Sequence, residues 1–235
     1  MLAARRNDAI DWLPRTILLL GTDASGKNHV ADVWIQRLDE SGHAPILQEG
    51  WLAGDAVDPD HDEEKSWLSH LAERTFLAVF PWIAWGMPLA LRFLIRRDAR
   101  RFRPDGRRRL VVSHSALRIL AFCLGAQGRG LDALSDSMRQ AVRELVERSA
   151  ARVIVLDVDH DVRRRRIEAR IAKADADPFD RYMVADPVRS ERIEACLVSL
   201  ATELMDAHLI VNNALDDDAL WTQLEEACKA PSRTR

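Results

Sequence analysis

The stretch from Thr16 to Val33, TILLLGTDASGKNHVADV, constrains this chain more than any other. Ile17 to Leu20 are large, apolar and strand-like, and they run straight into Gly21. The turn GTDASGK follows. Val30, Val33, Trp34 and Leu38 then recur at spacings of three and four, the period of a helix with one buried face. A buried strand, a glycine turn and a helix start, in that order, are what a phosphate-binding loop requires. Gly21 and Gly26 let bare backbone N–H groups approach an anion at the positive end of the helix. The cradle would run through Gly21, Thr22, Asp23, Ala24, Ser25, Gly26, Lys27 and Asn28, with Lys27 reaching the outer phosphates of a nucleotide. The bland alternative is a glycine-rich strand–turn–helix with no ligand.

The pattern is G-x-x-x-x-G-K-[ST] with one departure. Asn28 stands where a Ser or Thr hydroxyl would meet magnesium. Asn28 is therefore the candidate metal ligand, and its neutral amide oxygen is a different donor from a hydroxyl beside the phosphates. The anion cradle, made of backbone, is untouched by the change.

A chain of 235 residues that is 47% hydrophobic builds one sizeable core, so residues 1–235 are expected to form a single domain. A formal charge of −3 and a pI near 6.2 give no general attraction to nucleic acid. Cys123, Cys196 and Cys228 are odd in number, far apart and without a C-x-x-C pair, which argues for a reducing compartment and against zinc. Met1 to Trp12 has no apolar core of a signal peptide. The expected location is cytoplasmic.

Residues 1–15 read as a polar lead-in, and the helix after the loop should run from Lys27 to Ser41, stopped by Gly42. His43–Gln48 is a short second strand, and Glu49–Glu64 an exposed acidic loop without calcium-loop spacing. Residues 66–109 look like an insertion. Phe76–Leu91 carries no charged side chain, and Arg96, Arg97, Arg100, Arg101 and Arg103 follow at once. That block is shorter than the ~20 residues of a membrane span, and Pro81, Gly86 and Pro88 interrupt it. It suits buried helices, a surface covered by a partner subunit, or an interfacial segment anchored by the arginines, so a peripheral membrane contact through 76–109 and a homodimer are both open. The arginine cluster lacks the interleaved aromatics of a nucleic-acid site.

RLVVS (109–113) and RVIVLD (152–157) are further buried strands, separated by a glycine-rich turn at Gly125, Gly128 and Gly130 and a helical stripe of Leu131, Leu134, Met138, Val142 and Leu145. Alternating strands and helices of these lengths indicate a parallel sheet with helices on both faces. Asp161–Lys173 returns to helix, with Arg163, Arg166, Arg170 and Lys173 on one face as a cationic stripe. ADADPFDRY is a polar break suited to a short lid over 173–187. A helix through Ile193, Leu197, Leu200 and Leu204, the strand HLIVN (208–212), a helix over 217–227 and a tail over 230–235 complete the chain.

Several of these motifs resemble the thymidylate kinase family of P-loop nucleoside-monophosphate kinases. GTDASGKN is similar to the family's G-x-D-G-x-G-K-S/T, with Asp23 at its aspartate. AFCLGAQGRGL resembles the stretch after its third strand. VIVLDVDHDVRRRRIEAR resembles L-D-V-x-x-E-x-x-x-x-R-I-x-x-R, with Arg166 and Arg170 at the two arginines. DPFDRY is similar to its D-R-F-E lid element, and HLIVNNA to its late strand near the adenine. Two departures stand on the acceptor side: Ser113, His114 and Ser115 replace D-R-Y/H, and Gln48, Glu49 and Gly50 replace R-E-P.

The resemblance implies a P-loop NTPase fold, a three-layer α/β/α domain with a five-stranded parallel sheet and a short lid. It also implies an ATP- and Mg2+-dependent phosphotransferase whose partners are a nucleotide and a small-molecule acceptor. Lys27, Asp23, Arg166 and Arg170 are its catalytic candidates, since phosphoryl transfer rests on placement and charge neutralisation. The other class of reading is a nucleotide-binding regulatory protein or inactive kinase homologue, for which Asn28 and the Ser113–His114–Ser115 replacement speak.

Overall fold

Leu18 and Leu20 point to one side of the first strand and Ile17 and Leu19 to the other, and both pairs are buried, each in a different hydrophobic cluster. A strand buried on both faces needs a helical layer above and below it. The computed structural model shows that arrangement. It describes residues 13–40, 45–48, 71, 74–80, 87–102, 109–173, 176–212 and 216–230. Residues 1–12 of the expected lead-in over 1–15, the acidic loop, residues 174–175 of the expected lid over 173–187 and residues 231–235 of the expected tail over 230–235 lie outside them.

Five strands, β1 (Thr16–Leu20), β2 (Pro45–Gln48), β3 (Arg109–Val112), β4 (Ala151–Asp157) and β5 (His208–Val211), form one parallel sheet in the order β2-β3-β1-β4-β5. All four pairings are parallel, with Ile17 opposite Val111 on one side and Arg152 on the other. The helices are α1 (Lys27–Glu40), α2 (Met87–Arg101), α3 (Ala116–Ala126), α4 (Asp136–Ser149), α5 (His160–Ala172), α6 (Pro178–Val184), α7 (Pro187–Leu204) and α8 (Asp217–Lys229). On one face α1 and α8 cover Ile17, Leu19, Ile154 and Ile210, and Trp34 packs at 5.5 Å from Trp221. The other face holds the larger core, in which α2, α3, α4 and α7 bury Leu91, Ile95, Leu117, Leu145 and Leu200. Each such side chain contributes roughly 1.5–3 kcal/mol on leaving water.

Two local readings change. Gly125 lies inside α3, not in a turn: a Cβ there would stand 2.4 Å from the Cα of Ile193, so it is the contact that lets α3 and α7 touch. The polar break of the lid contains α6. Asp177 accepts from the N–H of Asp180 at 2.6 Å, Pro178 starts the helix, and Phe179 packs edge-on against Phe122 at 5.4 Å. In the insertion-like region, α2 is amphipathic, with Leu91, Ile95 and Ala99 inward, and no described helix is long and apolar enough to cross a membrane.

α2 also shapes the approach to the sheet. The buried Asp98 carboxylate accepts from the N–H of Ala116 at 2.8 Å and so caps α3 from a neighbouring helix. This joins α2 to the segment that follows β3 at the carboxyl end of the sheet, where ligands of open parallel sheets bind.

Candidate functional site

The loop from Gly21 to Gly26 leaves the carboxyl end of β1, the central strand. Its turn is tight. A Cβ on Gly21 would sit 2.4 Å from the Ser25 hydroxyl, and Ala24 and Gly26 have φ of 59° and 88°. A left-handed alanine costs roughly 1–3 kcal/mol and persists only where its surroundings hold it. Here Arg166 donates to the Ala24 carbonyl at 3.1 Å and the Asn212 amide to the Ser25 carbonyl at 2.9 Å. Arg166 also donates to the Asn212 carbonyl at 3.0 Å, which closes a brace between α5, the end of β5 and the loop.

Lys27 opens α1 and is buried, its ammonium 3.2 Å from the Thr22 carbonyl. Burial, then the charge of Arg118, holds the amine down to about 7, with Asp23 pulling the other way. The Ser25 hydroxyl is 1% exposed and has no hydrogen-bond partner. A desolvated cation and an orphaned hydroxyl within a loop braced by its carbonyls fit an oxyanion such as a phosphate. Asn28 is exposed at the first turn of α1. Among the described residues no group of three His, Cys, Asp or Glu side chains could hold a metal. Asn28 is the residue that would face a magnesium ion at the head of α1, with phosphate and water supplying its other oxygens, a coordination this ion accepts.

Beneath the loop, Arg163 is fully buried. It reaches Thr22 Oγ1 at 2.9 Å, Ser190 Oγ at 2.7 Å and the Glu194 carboxylate at 3.0 Å. The stripe of Arg163, Arg166, Arg170 and Lys173 thus divides: Arg163 is a buried strut and Arg166 a brace on the loop, while Lys173 is exposed. Burial, against the opposing charge of Arg163, raises Glu194 to about 7.

In front of the loop a ring of charges gathers. Asp23 pairs with Arg118 in the first turn of α3, and the two side chains are 17% and 22% exposed. Burial on its own would raise Asp23, but Arg118 and Lys27 together hold it below the usual carboxylate range. His114, in the segment replacing D-R-Y/H, is held neutral down to about 3 by burial and by the charges of Arg118 and Lys27. Arg170 pairs with Asp180 of α6 at 3.2 Å, and Asp177 is raised to about 6 by burial and by the nearby Asp23 and Asp180 charges. The structure thus brings Asp23, Lys27, Arg166 and Arg170 to one rim, with Asn28 on its outer side.

Arg118, Glu194 and Asn212 were not legible as site residues. Each reaches the loop from far along the chain, and only Asn212 carried a local signal, its place at the end of the last strand. A cavity of about 200 Å³ lies elsewhere, between α2, α3 and α4, and is lined by Leu91, Leu120, Cys123, Leu134 and Met138.

No family model matches the chain, and no curated protein sequence does. Solved structures do. A deoxyadenosine kinase from M. mycoides with bound dATP superposes with a TM-score of 0.50 at 12% identity, over 92% of this chain and 100% of that one. A thymidylate kinase from Candida albicans, at 13% identity, covers 91% of this chain and 90% of its own with a TM-score of 0.43. The YorR protein from Bacillus subtilis, in complex with phosphorylated GDP, covers 90% and 94% at 13% identity and 0.45. At such identities the likeness is one of architecture, a fold shared with that deoxyadenosine kinase.

Proposed function

We propose that this protein is an ATP-dependent phosphotransferase whose acceptor is a nucleoside, a nucleoside monophosphate or a small molecule of similar shape. One observation carries the reading: the Gly21–Asn28 loop holds a desolvated Lys27 and an unpartnered Ser25 hydroxyl at the carboxyl end of the central strand. In this reading the loop and Lys27 hold the donor's outer phosphates. The acceptor hydroxyl oxygen bonds to the γ-phosphorus as the bond to the β–γ bridging oxygen breaks, and ADP leaves with those electrons. Asp23 takes or directs the hydroxyl proton, which requires Arg118 to release it. Arg170, on the same rim, neutralises charge on the phosphoryl group in flight, and Arg166 keeps the loop in shape. Magnesium, when bound, supplies further neutralisation of the phosphates.

The test is ATP binding by calorimetry together with ATP consumption across a panel of nucleosides, nucleotides and sugars. Turnover with one acceptor class, lost in Lys27→Met, is the expected result. A second reading, a nucleotide-binding regulator without turnover, is favoured by Asn28 at the metal position and by Arg118 closing off Asp23. It predicts ATP binding that depends on Lys27 and ATP that stays intact with every acceptor. Absence of any Lys27-dependent binding would overturn both.

A further inference from the structure

α2 presents two large apolar side chains to solvent one turn apart: Leu89 is 70% exposed and Phe93 68%. Its buried face, Leu91, Ile95, Asp98 and Ala99, is the one that packs on the core, and Leu89 and Phe93 lie outside that face. Beyond them the same helix turns cationic. Its fifteen residues hold five arginines (92, 96, 97, 100 and 101) and one acid, Asp98, which is buried and occupied in capping α3. Arg92 and Arg100 meet no acidic side chain among the described residues, and Arg96 only approaches Glu144 at 3.9 Å. On a helix, residues 89, 93, 96 and 100 share one side. That side is apolar in its first half and cationic in its second, and Phe93 to Arg100 spans roughly 10 Å along the axis.

We infer that α2 is a membrane-surface contact that docks this protein on anionic lipid. Leu89 and Phe93 enter the boundary between headgroups and acyl chains, while Arg92, Arg96 and Arg100 lie at the level of the lipid phosphates. An apolar tip alone would suit any partner. The adjoining guanidinium groups, of which Arg92 and Arg100 meet no acidic side chain among the described residues, select a surface that is both apolar within and anionic at its rim, which an acidic bilayer is and a neutral one is not. A chain of net charge −3 would otherwise be repelled by such a surface, so the attraction has to be local to this helix.

The full chain is mixed with phosphatidylcholine vesicles, with and without phosphatidylglycerol, and floated on a density gradient. Flotation with the anionic vesicles only, reduced at least tenfold in Leu89→Ser/Phe93→Ser and in Arg92→Glu/Arg96→Glu/Arg100→Glu, is the expected result. High salt should release the wild type. All these side chains lie at the surface, and the circular dichroism and ATP binding of each variant show whether its fold is intact. No flotation, equal flotation on neutral vesicles, or flotation indifferent to Phe93 overturns the inference. So does sedimentation velocity showing a dimer that Phe93→Ser dissociates, because a second copy would then be what covers Leu89 and Phe93.

Discussion

Arg163 and Glu194 form an ion pair of 3.0 Å beneath the phosphate loop, with side chains 1% and 13% exposed, and Thr22 of the loop bonds to both. The loop therefore rests on a buried charge pair set between two helices. Removing one partner of such a pair leaves the other uncompensated, so Arg163→Met is expected to destabilise the fold by about 3–5 kcal/mol. Urea titration measures this, and a loss under 1 kcal/mol would show that the pair is not a support.

Glu194→Gln is the milder test. The folded protein raises this carboxyl to about 7, mainly by burial, so the folded state holds a proton that the unfolded state gives up above the model value of 4.5. Stability contributed by the site is present below 4.5 and is lost as pH rises towards 7. The variant should lack this pH dependence, its melting temperature changing less than the wild type's between pH 4.5 and 7.5.

Lys27 has the opposite titration. Burial lowers its folded value to about 7 from 10.5, so the unfolded chain binds more protons between these limits and stability rises with pH across that window. Lys27→Met should flatten the rise and raise the melting temperature at pH 7 by a few degrees, while abolishing ATP binding. A bound phosphate restores the ammonium form. ATP binding near pH 8 is then accompanied by proton uptake, and affinity falls as pH climbs above 7. Calorimetry in buffers of different ionisation enthalpy reads the uptake directly.

Asn28→Thr puts a hydroxyl at the head of α1, where Asn28 is exposed and supports nothing in the fold. Little change in stability is expected. If the protein turns over ATP, magnesium-dependent turnover should rise several-fold with ADP affinity in the absence of metal unchanged. An unaltered rate would show that position 28 does not meet the ion.

Gly125→Ala tests the contact between α3 and α7. The added methyl carbon would lie 2.4 Å from the Cα of Ile193 and 2.6 Å from its nitrogen, and backbone has no rotamer with which to give way. A loss of about 3 kcal/mol or more in urea titration is expected, in line with severe overpacking.

The central layer was readable because β1 and β4 are short apolar runs whose burial on both faces leaves no other use for them. The loop was readable because two glycines and a lysine at fixed offsets have few alternatives. The burial of Arg163 was not legible for a physical reason: spacing shows which residues share a helix face but not what packs on it, and α7 brings Ser190 and Glu194 against this one. Arg118 was invisible because its partner Asp23 lies on the preceding loop and the two meet only once β1 and β3 pair. Gly125 was misplaced because a glycine that admits a neighbouring helix has the same one-letter signature as one that ends its own.

The Asp98 carboxylate holds the start of α3 from α2 at 2.8 Å, and Arg118 sits one turn into α3. The arginine-bearing helix is thus tied, through this carboxylate and the packing of Leu91 and Ile95 in the same core as Leu117 and Leu120, to the helix that carries the partner of Asp23. The helix that shows Phe93 to solvent and the residue that occupies Asp23 therefore belong to one packed unit.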